Sequence, residues 1–159
     1  TVLFPLVEVF DQVKRTNISS FESPIISEKT TNSDFKPKLL VVDNDESSRD
    51  IIKLFLKDLY EMEFADSGEK AFHLVNDKKF DIILMDINLG KGMSGVESTR
   101  EIKKIESYRD VPIIAITGFA MRGDKEEFMQ AGCTHYLSKP FSRTKLIKLL
   151  NEVTSNSVA

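Results

Sequence analysis

Phe80-Asp81-Ile82-Ile83-Leu84-Met85-Asp86 decides how this chain folds. The apolar run from Ile82 to Met85 has no polar face, so it reads as a strand buried on both sides and closed by a carboxylate. The same unit recurs outward from it. Upstream lie Lys38-Leu39-Leu40-Val41-Val42 and a weaker strand from Tyr60 to Ala65; downstream lie Val111 to Ile116 and the short Thr134 to Leu137. Between these runs the apolar spacing becomes helical. Glu46 to Leu59 carries Ile51, Ile52, Phe55, Leu56 and Leu59 on one broad face, and Gly68 to Lys78 carries Ala71, Phe72 and Val75. Ser94 to Glu106 opens with a Ser94/Glu97 capping box, Met121 to Ala131 is closed by Gly132, and Ser142 to Val153 turns Leu146, Ile147, Leu149, Leu150 and Val153 inward. Strands alternating with helices imply an α/β fold: a flavodoxin-like, doubly wound five-stranded parallel sheet, order 2-1-3-4-5, with helices on both faces. Ligands then sit at the carboxyl ends of strands 1 and 3.

The remaining sequence narrows the function. Of 159 residues, 41% are hydrophobic and 30% charged, which suits a folded domain. Lys and Arg total 22 against 25 Asp and Glu, and the net charge of −3 lacks the basic excess of a nucleic-acid binder. No apolar run reaches the ~18–20 residues of a bilayer span, so no membrane contact is expected of this segment. The single cysteine, Cys133, excludes an intrachain disulfide and a Cys-based zinc site and reads as a small buried residue. Residues 38–153 form the folded domain. Residues 8–37, rich in Ser, Thr and Asn, read as a linker; residues 1–7 read as a short strand confined to an edge by Pro5; residues 154–159 are a tail. The start at Thr1, without methionine, points to a piece of a longer protein.

The strands deliver polar groups to one rim: Asp43-Asn44-Asp45 after strand 1, Asp86 after strand 3, Thr117-Gly118 after strand 4, Lys139-Pro140 after strand 5. Asp43 and Asp86 brought together repel, and a hard divalent cation such as Mg²⁺, content with one or two carboxylates plus carbonyls and waters, resolves this. Lys139 adds a point positive charge suited to a phosphate oxygen, and Thr117 a hydroxyl. Carboxylate, Mg²⁺, ammonium and hydroxyl are what phosphoryl transfer requires, and a carboxylate can itself be the nucleophile. Asp86, on the central strand, is the best candidate.

From Lys38 to about Val153 the chain resembles the receiver domain of two-component response regulators. The motifs are Leu40-Val41-Val42-Asp43, Asp81-Ile82-Ile83-Leu84-Met85-Asp86, Pro112-Ile113-Ile114-Ala115-Ile116-Thr117-Gly118 and Tyr136-Leu137-Ser138-Lys139-Pro140-Phe141, in the family's order. The resemblance implies that Asp86 accepts a phosphoryl group from a phosphohistidine. The donor would be a histidine kinase dimerisation domain or a histidine phosphotransfer protein in the cytoplasm. It implies Mg²⁺ held by Asp43, Asp86 and the backbone carbonyl of Asn88, with Lys139 gripping the phosphoryl oxygens. Thr117 and Tyr136 would form the switch that reshapes the surface from strand 4 to helix 5, and Lys139–Pro140 would be cis. Catalysis by such a domain is limited to acquiring the phosphoryl group and slowly losing it to water. Two features depart from the family. Asn44 stands where most receivers carry a second acid; it can offer an oxygen to Mg²⁺ but removes a charge. The loop after Asp86 lacks the usual Met-Pro pair and is one residue longer. Phe119, two residues past Thr117, is expected to shield the phosphoryl group from water.

Thr1-Val2-Leu3-Phe4-Pro5-Leu6 resembles the last strand of a histidine-kinase ATP-binding domain, which implies a hybrid kinase whose linker, ~30 Å in root-mean-square span, tethers its own receiver. Two other readings are kept open. Asp43-x-Asp45 is also the nucleophile motif of haloacid-dehalogenase-type phosphohydrolases, but after Lys139 only Glu152 supplies an acid for their metal. A pseudo-receiver that binds partners without phosphorylation is favoured by Asn44 alone.

Overall fold

A computed structural model of the chain describes residues 35–118 and 121–157. Its elements are β1 (Lys38–Val42), α1 (Glu46–Leu56), β2 (Glu61–Ala65), α2 (Gly68–Asp77), β3 (Ile82–Asp86), α3 (Gly95–Lys104), a 3₁₀ turn (Glu106–Tyr108), β4 (Ile113–Thr117), α4 (Asp124–Ala131), β5 (His135–Ser138) and α5 (Arg143–Ser157). All strand pairs are parallel, in the order β2-β1-β3-β4-β5. This is the sheet the sequence implies.

The period of two splits each continuous apolar run between two cores. Leu40, Val42, Ile83, Met85 and Ala115 pack with Ala71 and Val75 of α2, Val96 and Ile102 of α3 and Phe128 of α4. Leu39, Val41, Ile82, Leu84, Ile114 and Ile116 face the other way, against Ile52 and Leu56 of α1 and Leu146, Leu150 and Val153 of α5. Because both faces are covered, no strand of the interior needs a polar side chain until it ends. The register then aligns those ends: Val42 opposite Met85, Asp86 opposite Ile116, Thr117 opposite Ser138.

Several boundaries differ from the sequence reading. Helix α1 stops at Leu56, where the N–H of Lys57 closes the last turn on the Lys53 carbonyl. Its apolar face is narrower than expected: Ile52 and Leu56, four apart, point at the sheet, whereas Ile51 is 49% and Leu59 42% exposed. Helix α4 starts at Asp124 rather than Met121, because Gly123 takes a left-handed φ of 104° and the N–H of Met121 is already bound by the Asp124 carboxylate at 2.8 Å. Helix α5 continues past Val153 to Ser157. The 3₁₀ turn has no counterpart in the apolar spacing of the sequence. It buries Tyr108, whose hydroxyl donates to the Lys78 carbonyl (2.5 Å) and accepts from the Phe80 N–H (3.2 Å). Lys103 Nζ fastens the same turn through the carbonyls of Tyr108, Arg109 and Val111. The expected strand in residues 1–7 and nearly all of the expected linker lie outside the described residues.

Candidate functional site

The ends of β1, β3 and β5 bring three of the expected side chains into contact. Lys139 Nζ donates to Asp43 Oδ2 at 2.8 Å and to Asp86 Oδ2 at 3.1 Å. Asp43 is 1% exposed and Asp86 5%. The remaining carboxylate oxygens meet backbone N–H groups two residues on: Asp43 Oδ1 accepts from Asp45 (2.9 Å) and Asp86 Oδ1 from Asn88 (2.9 Å). Asp43 is thus held just past β1 and Asp86 at the last position of β3. Thr117 ends β4 as a buried residue, and its carbonyl accepts the N–H of Lys139 at 2.8 Å, which ties the two outer motifs together. The Lys139–Pro140 peptide is cis, as the resemblance implies.

The electrostatics follow from burial. Burial pushes the Asp86 carboxyl above its ordinary range; the Asn88 N–H and the Lys139 ammonium pull it back, and the Asp43 charge adds to the rise. Burial acts to lower the Lys139 ammonium, but hydrogen bonds and attraction from Asp43 and Asp86 outweigh it and hold it above the usual lysine value. One ammonium thus offsets two buried carboxylates, leaving the cluster with a net negative charge.

That imbalance fits Mg²⁺. Among the described residues no group of three or more His, Cys, Asp and Glu side chains is placed to hold a metal, and the hard donors at this site are the carboxylates of Asp43 and Asp86. Mg²⁺ tolerates such a set because it retains waters. Lys139, lodged between the two carboxylate oxygens, marks where positive charge is wanted. Asn88 lies exposed beside Asp86, as required if its carbonyl is to take part. Asn44 is exposed at the same rim, its Nδ2 3.2 Å from where a Cβ on Gly90 would lie, so it borders the loop that follows Asp86.

Tyr136 is 38% exposed, with the Lys125 ammonium 5.5 Å from its ring centroid. It therefore stands on the surface. Cys133 is buried, as expected. Phe119 lies outside the described residues. One contributor was missed: Arg49 Nη1 donates to the Asp43 carbonyl at 2.6 Å. Its placement, six residues on and inside α1, leaves no signal in spacing alone.

Comparison with known proteins agrees with this geometry. Residues 39–151 match the family model of the response regulator receiver domain. The polar-differentiation response regulator DivK of Brucella ovis is 38% identical over 115 residues, 72% of this chain and 93% of that protein. The crystal structure of the chemotaxis protein CheY4 of Vibrio cholerae superposes with a TM-score of 0.72 at 32% identity, over 75% of this chain and 99% of the other. The receiver domain of a sensor histidine kinase from Pseudomonas aeruginosa, solved with a magnesium ion in its active site cleft, gives 0.69 at 35% identity, over 74% and 97%. With its sheet order, its buried acid–lysine cluster and these relatives in agreement, this chain belongs to the response regulator receiver family, the phosphoacceptor domains of two-component signalling.

Proposed function

We propose that Asp86 is the phosphoryl acceptor of this receiver and that Asp43, Lys139 and Thr117 serve it. The observation that carries the reading is the Lys139 ammonium bridging the carboxylates of Asp43 and Asp86 across three strand ends. An Asp86 oxygen attacks the phosphorus of a phosphohistidine in line; the P–N bond breaks and its electron pair returns to the imidazole. Lys139 then exchanges a carboxylate contact for a phosphoryl oxygen. Mg²⁺, when held by Asp43, Asp86 and the Asn88 carbonyl, supplies charge neutralisation at the same oxygens. Both acids have both oxygens engaged; Asp43 is the poorer nucleophile because it is the more enclosed, its side chain 1% exposed against 7% for Asp86. The new charge at Asp86 biases Thr117 toward the site and Tyr136 inward from its exposed position, which changes the β4 to α5 surface. Incubation with acetyl phosphate and Mg²⁺ tests the reading: one hydroxylamine-sensitive phosphate per chain is expected, and a chain that stays unlabelled refutes it.

Asn44→Asp probes the metal. A carboxylate restored at this rim adds charge within a few ångströms of the ion, and even well-screened attraction at such range is worth ~1–2 kcal/mol. Calorimetric titration should show Mg²⁺ binding about tenfold tighter. An unchanged affinity removes Asn44 from the ion's field.

The phosphohistidine partner docks, on this reading, beside the acceptor. A groove of roughly 310 Å³ is lined by Ser48, Ile51, Lys139, Pro140 and Phe141. Lys139 belongs to both groove and site, so a helix seated there presents its histidine to Asp86. Exposed Ile51 and Leu54 extend the apolar face. Ile51→Glu should slow transfer from a phosphohistidine protein at least about tenfold, one buried charge being worth more than 1.4 kcal/mol. Labelling by acetyl phosphate, which needs no docking, should be unchanged; equal loss with both donors refutes the groove. We place the domain in the cytoplasm within a hybrid kinase. The likeness to a sensor kinase receiver supports this, and the sequence preceding Thr1 tests it. No helix among the described residues is long and apolar enough to cross a membrane.

A further inference from the structure

We propose that Glu69, at the start of α2, is a positioning residue that holds the loop after Asp86 through the N–H of Met93 and thereby sets the Mg²⁺ affinity of the site. The inference rests on the functional reading above, because it concerns where Asn88 is placed.

Residues 87–94 connect the acceptor strand to α3. At the near end the Asn88 N–H is bound by Asp86 Oδ1, and at the far end Ser94 and Glu97 close a capping box. Between these the loop leans on a different part of the chain. Glu69 Oε1 accepts the Met93 N–H at 2.9 Å. Gly92, at φ 89°, lies so close to the Glu69 carboxylate that a Cβ there would come 2.7 Å from Oε1. Gly68 completes the cradle: a Cβ on it would meet the Met93 carbonyl oxygen at 3.0 Å. Leu89 anchors the loop in the core, and Gly90 and Gly92 both use positive φ, which glycine adopts without strain. A loop with two such glycines has many conformations open to it, so a tether from outside selects among them. The Met93 N–H, with Glu69's own N–H, holds the Glu69 carboxyl below its usual range, as expected of a charged acceptor.

Three measurements on the full chain test this. Glu69→Ala should weaken Mg²⁺ binding about fivefold by calorimetry, somewhat less than loss of a direct partner of a ligand. In the metal-free protein its Asn88 amide resonance should move. With acetyl phosphate the Mg²⁺ concentration for half-maximal labelling should rise about fivefold while the maximal rate holds, since the acceptor itself is untouched. Glu69→Gln keeps an acceptor oxygen for Met93 and should stay within about twofold of the parent on every readout. The proposal is overturned if Glu69→Ala matches the parent in Mg²⁺ affinity and Asn88 resonance, or if Glu69→Gln is as impaired as Glu69→Ala. A parent chain that takes no phosphate at all would instead overturn the acceptor reading; calorimetry and the Asn88 resonance would still judge Glu69.

Discussion

Asp86→Asn should take no phosphate from acetyl phosphate or from a phosphohistidine donor, and its metal-free form should melt at a higher temperature than the parent. The first effect follows from chemistry. The amide oxygen carries no full negative charge and forms no stable acyl phosphate, so labelling should fall by at least about a thousandfold, more than 4 kcal/mol of barrier. The second follows from the price of the site in the resting protein. Asp86 is 5% exposed and its carboxyl is raised chiefly by burial, with Asp43 adding repulsion. A raised carboxyl gives stability that is present below its unfolded value and lost as pH rises through its folded value, so at neutral pH the ionised group weakens the fold. Asparagine removes that charge, still offers Oδ1 to the Asn88 N–H, and, since its Nδ2 cannot accept from Lys139, leaves the ammonium to Asp43 alone. A gain on the order of 1 kcal/mol, or roughly 4 °C, is expected with a chelator present. The gain should shrink as pH falls through the carboxylate range. A variant that is less stable than its parent at neutral pH would show that the resting site is not strained by its own charge.

How far this could be read in advance depends on the kind of residue. The sheet was legible because both faces of every interior strand are covered: Leu39 to Val42 and Ile82 to Met85 have nowhere to place a polar group, so the strands declare themselves by continuity. Asp43 and Asp86 were legible for the complementary reason, each being the first charge after such a run; Lys139 follows the half-exposed edge strand β5 and was legible instead by the Lys139-Pro140 motif. Helix faces were less so. Ile51 and Ile52 are identical in chemistry, yet one lies 49% exposed and the other 1%, because a helix laid on one face of the sheet buries only a narrow stripe. Tyr108 leaves no sequence signal, and the Lys103-Lys104 pair reads as solvated surface although Lys103 is half-buried; their partners are backbone carbonyls, which every residue has, and nothing in the sequence says which carbonyl a side chain will find. Glu69 and Arg49 act on the site from helices by the same route, through the Met93 N–H and the Asp43 carbonyl.

The steepest loss of stability should come from adding one methyl group at Gly95. By helix propensity alone Gly95→Ala, in the first turn of α3, should stabilise the protein by up to ~1 kcal/mol. Its surroundings reverse the sign. A Cβ at Gly95 would lie 2.7 Å from Ile87 Cα and closer still to the carbonyl oxygen of Asp86, and both are backbone atoms that cannot rotate away. The Gly95 N–H donates to the Ile87 carbonyl at 3.1 Å, so the helix start and the strand end are also bonded where they would be forced apart. Overpacking of side chains costs ~1–3 kcal/mol, and here main chain must yield, so a net loss of at least ~3 kcal/mol and a fall of ~10 °C in Tm are expected. The displacement would fall on the acceptor residue itself. Below the melting range labelling should therefore slow about tenfold, as misplaced reacting groups do. Gly118→Ala supplies the contrast: the same methyl group meets nothing within 4 Å there and should change stability by less than ~0.5 kcal/mol. If the two substitutions melt within about 4 °C of each other, roughly the span of 1 kcal/mol, close approach of α3 to the acceptor strand is not what holds Asp86 in place.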